Sequence, residues 1–131
     1  MLQSHLGAMF AVALLEDDDD LRTVLQEAFE LLGVEHVVAA DSLKQLQTAS
    51  PRALECQAAV LDVNLGAGMP TGIDAARWLR SEGFAGRIVF LTGHAASFPD
   101  VNRLCQEPET VLLKKPMEIE QLVRALGVRP T

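Results

Sequence analysis

Residues 10–20 read FAVALLEDDDD, six apolar residues running directly into five acids. A continuous apolar run this short reads as a strand buried on both faces. The acids mark its exit and the start of a helix. Leu21, Val24, Leu25, Ala28 and Leu32 recur at three- and four-residue intervals, the spacing of one helix face. Asp18 to Asp20 can cap that helix, where negative groups meet unpaired N–H groups. Gly33 stops it.

The alternation repeats downstream. Residues 34–40 form a strand candidate with Val34, Val37 and Val38. Asp41 or Ser42 can cap a short helix carrying Leu43 and Leu46, closed before Pro51. Residues 58–63 (AAVLDV) read as a third buried strand, followed by a loop rich in Gly and Pro at 64–71 (NLGAGMPT). Ile73, Ala76 and Leu79 mark a third helix stopped at Gly83. Residues 87–91 (RIVFL) make a fourth strand, ending at Thr92 and Gly93. In the stretch from His94 to Pro108, Val101, Leu104 and Cys105 have helical spacing, but Pro99 and Pro108 limit any helix to about two turns. Thr110 to Leu113 is a fifth strand, ending in Lys114-Lys115-Pro116. Ile119, Leu122, Val123 and Leu126 give a last helix, stopped by Gly127. Alternating strands and helices of this kind predict an α/β fold, a five-stranded parallel sheet with helices on both faces.

The whole chain supports one domain. Its 131 residues are 49% hydrophobic and 22% charged, enough for a single core. A net charge of −7 argues against direct nucleic-acid binding and against attraction to an anionic membrane. No apolar run approaches the roughly 20 residues of a membrane span. Cys56 and Cys105 lack disulfide-scaffold or metal-ligand spacing and read as small buried thiols in a reducing cytoplasm. Residues 1–9 carry no basic region typical of a secretory signal and are expected to be a short leader or an expression remnant.

In parallel sheets of this kind, ligands sit outside the C-terminal ends of the strands. Here those ends carry Glu16 and Asp17, Asp62, Thr92 and Lys115, whereas the strand bodies are almost free of charge. Carboxylates gathered from two strand ends repel one another, and a hard divalent cation such as Mg²⁺ relieves this. Asp17 and Asp62 read as direct ligands and Glu16 as a ligand through water; the alternative for the acidic run is a solvated helix cap. A lone Asp62 could cap or turn the chain; beside Mg²⁺ it could act as a carboxylate nucleophile toward a phosphoryl donor. Thr92 can donate a hydroxyl hydrogen bond to a phosphoryl oxygen, and a cation at strand five can neutralise a second one. Lys114 and Lys115 point to opposite faces of a strand, and Pro116 biases Lys115 toward an extended conformation along the edge.

This constellation resembles the receiver domain of bacterial two-component response regulators. The stretches that carry the resemblance are Leu14-Leu-Glu-Asp17 with Arg22 downstream, Val60-Leu-Asp62, Leu91-Thr92 and Leu113-Lys-Lys-Pro116. The resemblance implies a flavodoxin-like (βα)5 doubly wound fold over residues 10–127. It implies that Asp62 accepts a phosphoryl group from a sensor histidine kinase or phosphotransfer protein. Glu16, Asp17 and Asp62 would hold Mg²⁺, joined by the backbone carbonyl of Asn64. Thr92 and Lys115 would contact the phosphoryl group, with Thr92 moving toward it on activation. Such a domain is a cytoplasmic phosphorylation switch acting on a downstream partner protein, rather than an enzyme that turns over a foreign substrate.

Three departures accompany the resemblance. The loop after Asp62 is about two residues longer than the family's usual loop. Leu112 stands where many receivers place a switching Tyr or Phe. The helix between strands four and five is short and bounded by prolines. His94, two residues past Thr92, reads either as a neighbour of the site or as an exposed loop residue. His36 is expected at a strand edge, without a role, and Trp78 in packing. Two rivals remain: a Mg²⁺-dependent phosphohydrolase of the haloacid-dehalogenase type, which wants Asp-x-Asp after its first strand, and a degenerate pseudo-receiver serving as an interaction module.

Overall fold

The structure is a computed structural model describing residues 10–66, 68–93, 103 and 106–127. The 1–9 segment, His94 and the helix expected around Val101 to Cys105 lie outside the described residues. Five strands, β1 (Ala11–Leu15), β2 (His36–Ala40), β3 (Ala58–Asp62), β4 (Arg87–Thr92) and β5 (Thr110–Lys114), form one parallel sheet in the order β2-β1-β3-β4-β5. Among the described residues, the longer helices are α1 (Asp19–Leu31), α2 (Leu43–Thr48), α3 (Gly72–Ser81) and α4 (Ile119–Ala125), with a 3-10 turn at Ala53–Glu55. The doubly wound parallel fold expected from the alternation is present.

Two-sided burial explains why the strand bodies are apolar on consecutive residues. Ala13, Leu15, Ala59, Leu61, Ile88 and Phe90 face one core, closed by Leu46 of α2 and Ile73, Ala76 and Leu79 of α3. Val12, Leu14, Ala58, Val60, Val89 and Leu91 face the other, closed by Leu25 and Phe29 of α1 and Leu122 and Val123 of α4. Successive strand residues alternate between faces, so a sheet covered on both sides leaves no polar position inside. Trp78 packs, half-buried, against the first core.

The local signals act as their chemistry dictates. Asp18 is the N-cap of α1, its carboxylate accepting from Leu21 N–H at 2.9 Å. Ser42, rather than Asp41, caps α2 by accepting from Gln45 N–H at 3.2 Å. Thr71 and Asp74 form a reciprocal capping box on α3. Gly33 has φ 97°, a left-handed conformation that suits glycine.

Four strands differ from expectation by a single terminal residue, and the second strand by two. The second strand begins at His36, not Val34. Val34 is buried, but its N–H donates to Phe29 O at 3.0 Å, closing the end of α1. Its apolarity belongs to the helix turn rather than to the sheet. His36 is exposed at the first position of an edge strand.

Candidate functional site

The strand order reverses direction between β1 and its neighbours β2 and β3, which leaves a crevice at the C-terminal ends of β1 and β3. An open cleft of about 380 Å³ lies there, lined by Glu16, Asp17, Asp62, Asn64, Thr92 and Lys115 among others. Each residue arrives from a strand end. Asp62 and Thr92 are the last residues of β3 and β4, and Glu16 and Lys115 lie one residue past β1 and β5. The ladder continues briefly beyond the strands and fixes these positions. Glu16 N–H donates to Ala40 O at 3.0 Å, Val63 N–H to Leu91 O at 2.9 Å, and Lys115 N–H to Thr92 O at 2.8 Å.

Side chains from three strands then converge. Glu16, Asp17 and Asp62 each place a carboxylate oxygen within 4.8 Å of the others. Lys115 Nζ lies 3.0 Å from Glu16 Oε1 and 3.3 Å from Asp62 Oδ1. Lys114 points outward and is exposed. Glu16, expected to act on the metal through water, is the most deeply buried of the three at 1% exposed; Asp62 is 4% exposed and Asp17 lies in the open cleft. The reason is register. The ladder bond to Ala40 holds Glu16 against the sheet, whereas Asp17 lies one residue further past the strand end. Thr92 is 1% exposed. Asn64 N–H donates to Asp62 Oδ1 at 3.3 Å, and its own Oδ1 accepts from Gly66 N–H at 3.1 Å. The start of the loop after Asp62 is thus hydrogen-bonded back to its own first residues, and Leu65 within it is buried.

Two buried carboxylates share a single lysine. Burial pushes the Glu16 carboxyl up to about 7, opposed by its bond from Lys115 and reinforced by the charge of Asp62. Burial likewise raises Asp62, against the pull of Lys115. The Lys115 ammonium is itself held above the usual lysine range, because its carboxylate partners outweigh the cost of its burial. The donor set suits a hard divalent cation: oxygen ligands, net negative, partly open to water.

The raised Glu16 has a consequence for stability. Between about 4.5 and about 7 the folded protein holds a proton that the unfolded chain has lost. Stability therefore falls as pH rises through that window. Without divalent cations, the melting temperature is expected to rise by several degrees from pH 8 to pH 6, and Glu16→Gln to flatten that dependence. Calorimetric melts of both proteins check this; a Glu16→Gln variant that keeps the full pH slope would place its origin elsewhere.

Sequence reasoning missed Gly72. A Cβ built there meets the carbonyl oxygen of Asp62 at 2.2 Å and its carbon at 2.8 Å. The first turn of α3 lies directly on the backbone of Asp62, and Gly72 N–H donates to Val63 O at 3.1 Å. The available signal was a glycine at the first helical position, just after the Thr71 cap, where most residues cost less than glycine. Gly72→Ala must push α3 away from the end of β3. It is expected to destabilise the fold by about 1–3 kcal/mol, read by urea denaturation, and to disturb Asp62 more than Lys115 in amide NMR spectra.

Fold and cleft together define a class of protein: a doubly wound parallel sheet with an acidic cluster and a lysine at its switch point. Residues 12–127 match the family model of the response regulator receiver domain. The chain belongs to that family. Among solved structures, chemotaxis protein CheY4 of Vibrio cholerae is 22% identical, with a TM-score of 0.74 over 92% of this chain and 98% of that one. A CheY-like receiver domain from Methylobacillus flagellatus is 20% identical, with a TM-score of 0.75 over the same shares. A response regulator receiver domain from Clostridium thermocellum is 19% identical, with a TM-score of 0.72 over 91% of this chain and 92% of that one. At these identities the likeness is one of fold. No curated protein sequence matches the chain significantly. Family membership, with the acceptor candidate on β3 rather than after the first strand, removes the phosphohydrolase rival. No described helix is long and apolar enough to cross a membrane.

Proposed function

We propose that this receiver domain, spanning residues 10–127, is a phosphorylation switch in which Asp62 accepts a phosphoryl group from a histidine kinase or phosphotransfer protein. One observation carries the reading: the three-carboxylate cluster with Lys115 Nζ 3.3 Å from Asp62. Glu16, Asp17 and Asp62, with the Asn64 carbonyl, would hold Mg²⁺. When bound, the ion offsets the negative charge of the cluster and of the incoming phosphoryl group.

The chain's own residues do the rest. Asp62 is a weak nucleophile presented at the floor of a cleft, so a donor phosphorus must enter through the mouth in line with one carboxylate oxygen. The Asp62 oxygen forms the new bond to phosphorus as the donor's P–N bond breaks, and the leaving imidazole takes up a proton. Lys115 then exchanges its carboxylate partners for a phosphoryl oxygen, and the Thr92 hydroxyl donates to another. The product carries nearly two added negative charges, enough to reorganise the adjoining loops for a downstream protein. Such a switch belongs in the cytoplasm, with its kinase.

The test is incubation with an acyl phosphate and Mg²⁺, followed by intact-mass spectrometry and peptide mapping. One phosphoryl group, on Asp62 and dependent on Mg²⁺, is the expected result. Modification of Asp17, Asp18 or a histidine would overturn the assignment, and no modification by any donor would mark a degenerate interaction module.

A further inference from the structure

The Glu16 carbonyl stands where β1 stops being held by its neighbours. The Glu16 N–H still reaches Ala40 O, but its carbonyl accepts instead from a side chain, Arg22 Nη1, at 2.9 Å. Arg22 stands in the first turns of α1, its side chain 21% exposed, and its Nη2 pairs with Asp19 Oδ1 at 2.5 Å. One guanidinium therefore ties the strand exit to the helix start. Its planar fork can hold a carbonyl and a carboxylate at once, which an ammonium cannot do with the same geometry.

The carbonyl it holds belongs to the peptide joining Glu16 to Asp17. That unit is planar, so fixing its oxygen fixes the direction in which the chain leaves Glu16 and places Asp17. These are two of the three acids of the cluster, and their charges drive them apart. We infer that Arg22 is a positioning residue for the divalent cation, holding the Glu16–Asp17 peptide so that the carboxylates stay within ligating reach of one ion. The inference rests on the reading of the cluster as a Mg²⁺ site.

The sign of the effect separates positioning from plain electrostatics. A cation beside the cluster repels Mg²⁺, so if Arg22 acted only through its charge, removing it would tighten metal binding. Positioning requires the opposite. Arg22→Met keeps the apolar stem and removes every donor; Arg22→Lys keeps the charge and at most part of the fork. Calorimetric Mg²⁺ titration of parent and both variants is expected to give about tenfold weaker binding for Arg22→Met, in the range typical of residues supporting metal ligands. Arg22→Lys should fall between the two. In the metal-free protein, amide NMR should show the Asp17 and Asp18 resonances of Arg22→Met shifted or broadened and those of β4 unmoved.

Equal or tighter Mg²⁺ binding by Arg22→Met overturns the inference while leaving the metal site standing. A parent that binds no Mg²⁺ overturns the metal reading itself, and the inference with it. Should Arg22→Met fail to fold, Arg22→Lys decides, because its charge is unchanged: parental affinity overturns the inference and weaker binding supports it.

Discussion

Asp62→Asn takes up no phosphoryl group from an acyl phosphate under conditions in which the parent is modified. The expected effect is complete, because the change removes the nucleophilic oxygen itself rather than a group that assists it. The remaining acids do not substitute. Glu16 is buried against Lys115 with one oxygen and receives Asp18 N–H at 3.2 Å with the other. Asp17 sits in the cleft mouth, without the β3 backbone that presents Asp62 at its floor. The variant should also be no less stable than the parent without metal, since it removes one member of a crowded set of charges. Phosphate appearing elsewhere in Asp62→Asn, at the parental rate, would show that another group is the true acceptor.

Lys115→Ala should abolish the response to phosphorylation, whereas Lys114→Ala should change little. Lys115 Nζ is within hydrogen-bonding reach of two buried carboxylates, and Lys114 faces solvent one residue earlier. A charge-assisted hydrogen bond is worth about 1.5–3 kcal/mol, so losing the one Lys115 would make to a phosphoryl oxygen favours the inactive state by roughly tenfold or more. The same deletion leaves Glu16 and Asp62 buried without a cation. Metal-free Lys115→Ala should therefore melt below the parent at pH 8, and lowering the pH should recover part of the loss as the acids protonate. The readout of the response is the spectral change on adding beryllofluoride and Mg²⁺ to each protein. A Lys114 variant that loses the change, beside a Lys115 variant that keeps it, would reverse the two roles.

Much of the site was legible because strand ends are legible. Apolar runs as short as AAVL before Asp62 or RIVFL before Thr92, bounded by turn residues, read as two-sided strands, so the polar residue that ends each run stands at the sheet's edge. Parallel connections then bring all those edges to the same side. Choosing Lys115 over Lys114 needed only the alternation of a strand and the following proline. Burial was less legible. Glu16 and Asp17 are neighbours of the same chemical type, and nothing in their order tells which turns inward. That is decided by the ladder bond from Glu16 to Ala40, a residue of another strand.

Other features had no sequence signal of adequate strength. Val34 looks like a strand residue by type, and only the close packing of the end of α1 makes it part of a turn. Gly72 looks like a permissive loop glycine until the carbonyl of Asp62 is found 2.2 Å from where its Cβ would stand. Arg22 matched the family pattern, but its target, a backbone carbonyl six residues earlier, cannot be inferred from residue identity.

By itself, then, the sequence determined the periodicities, the order of strands and helices along the chain, and the set of charged residues available at one edge. Those follow from local rules, hydrophobic period and capping chemistry, that act over a few residues. Tertiary structure decided the spatial order β2-β1-β3-β4-β5, the convergence of Glu16, Asp17, Asp62 and Lys115, and the raised protonation of the buried acids. Each of these depends on distance between groups remote in the chain. Lys115 and Glu16 are 99 residues apart in sequence and 3.0 Å apart in space, a proximity that only the closed sheet creates.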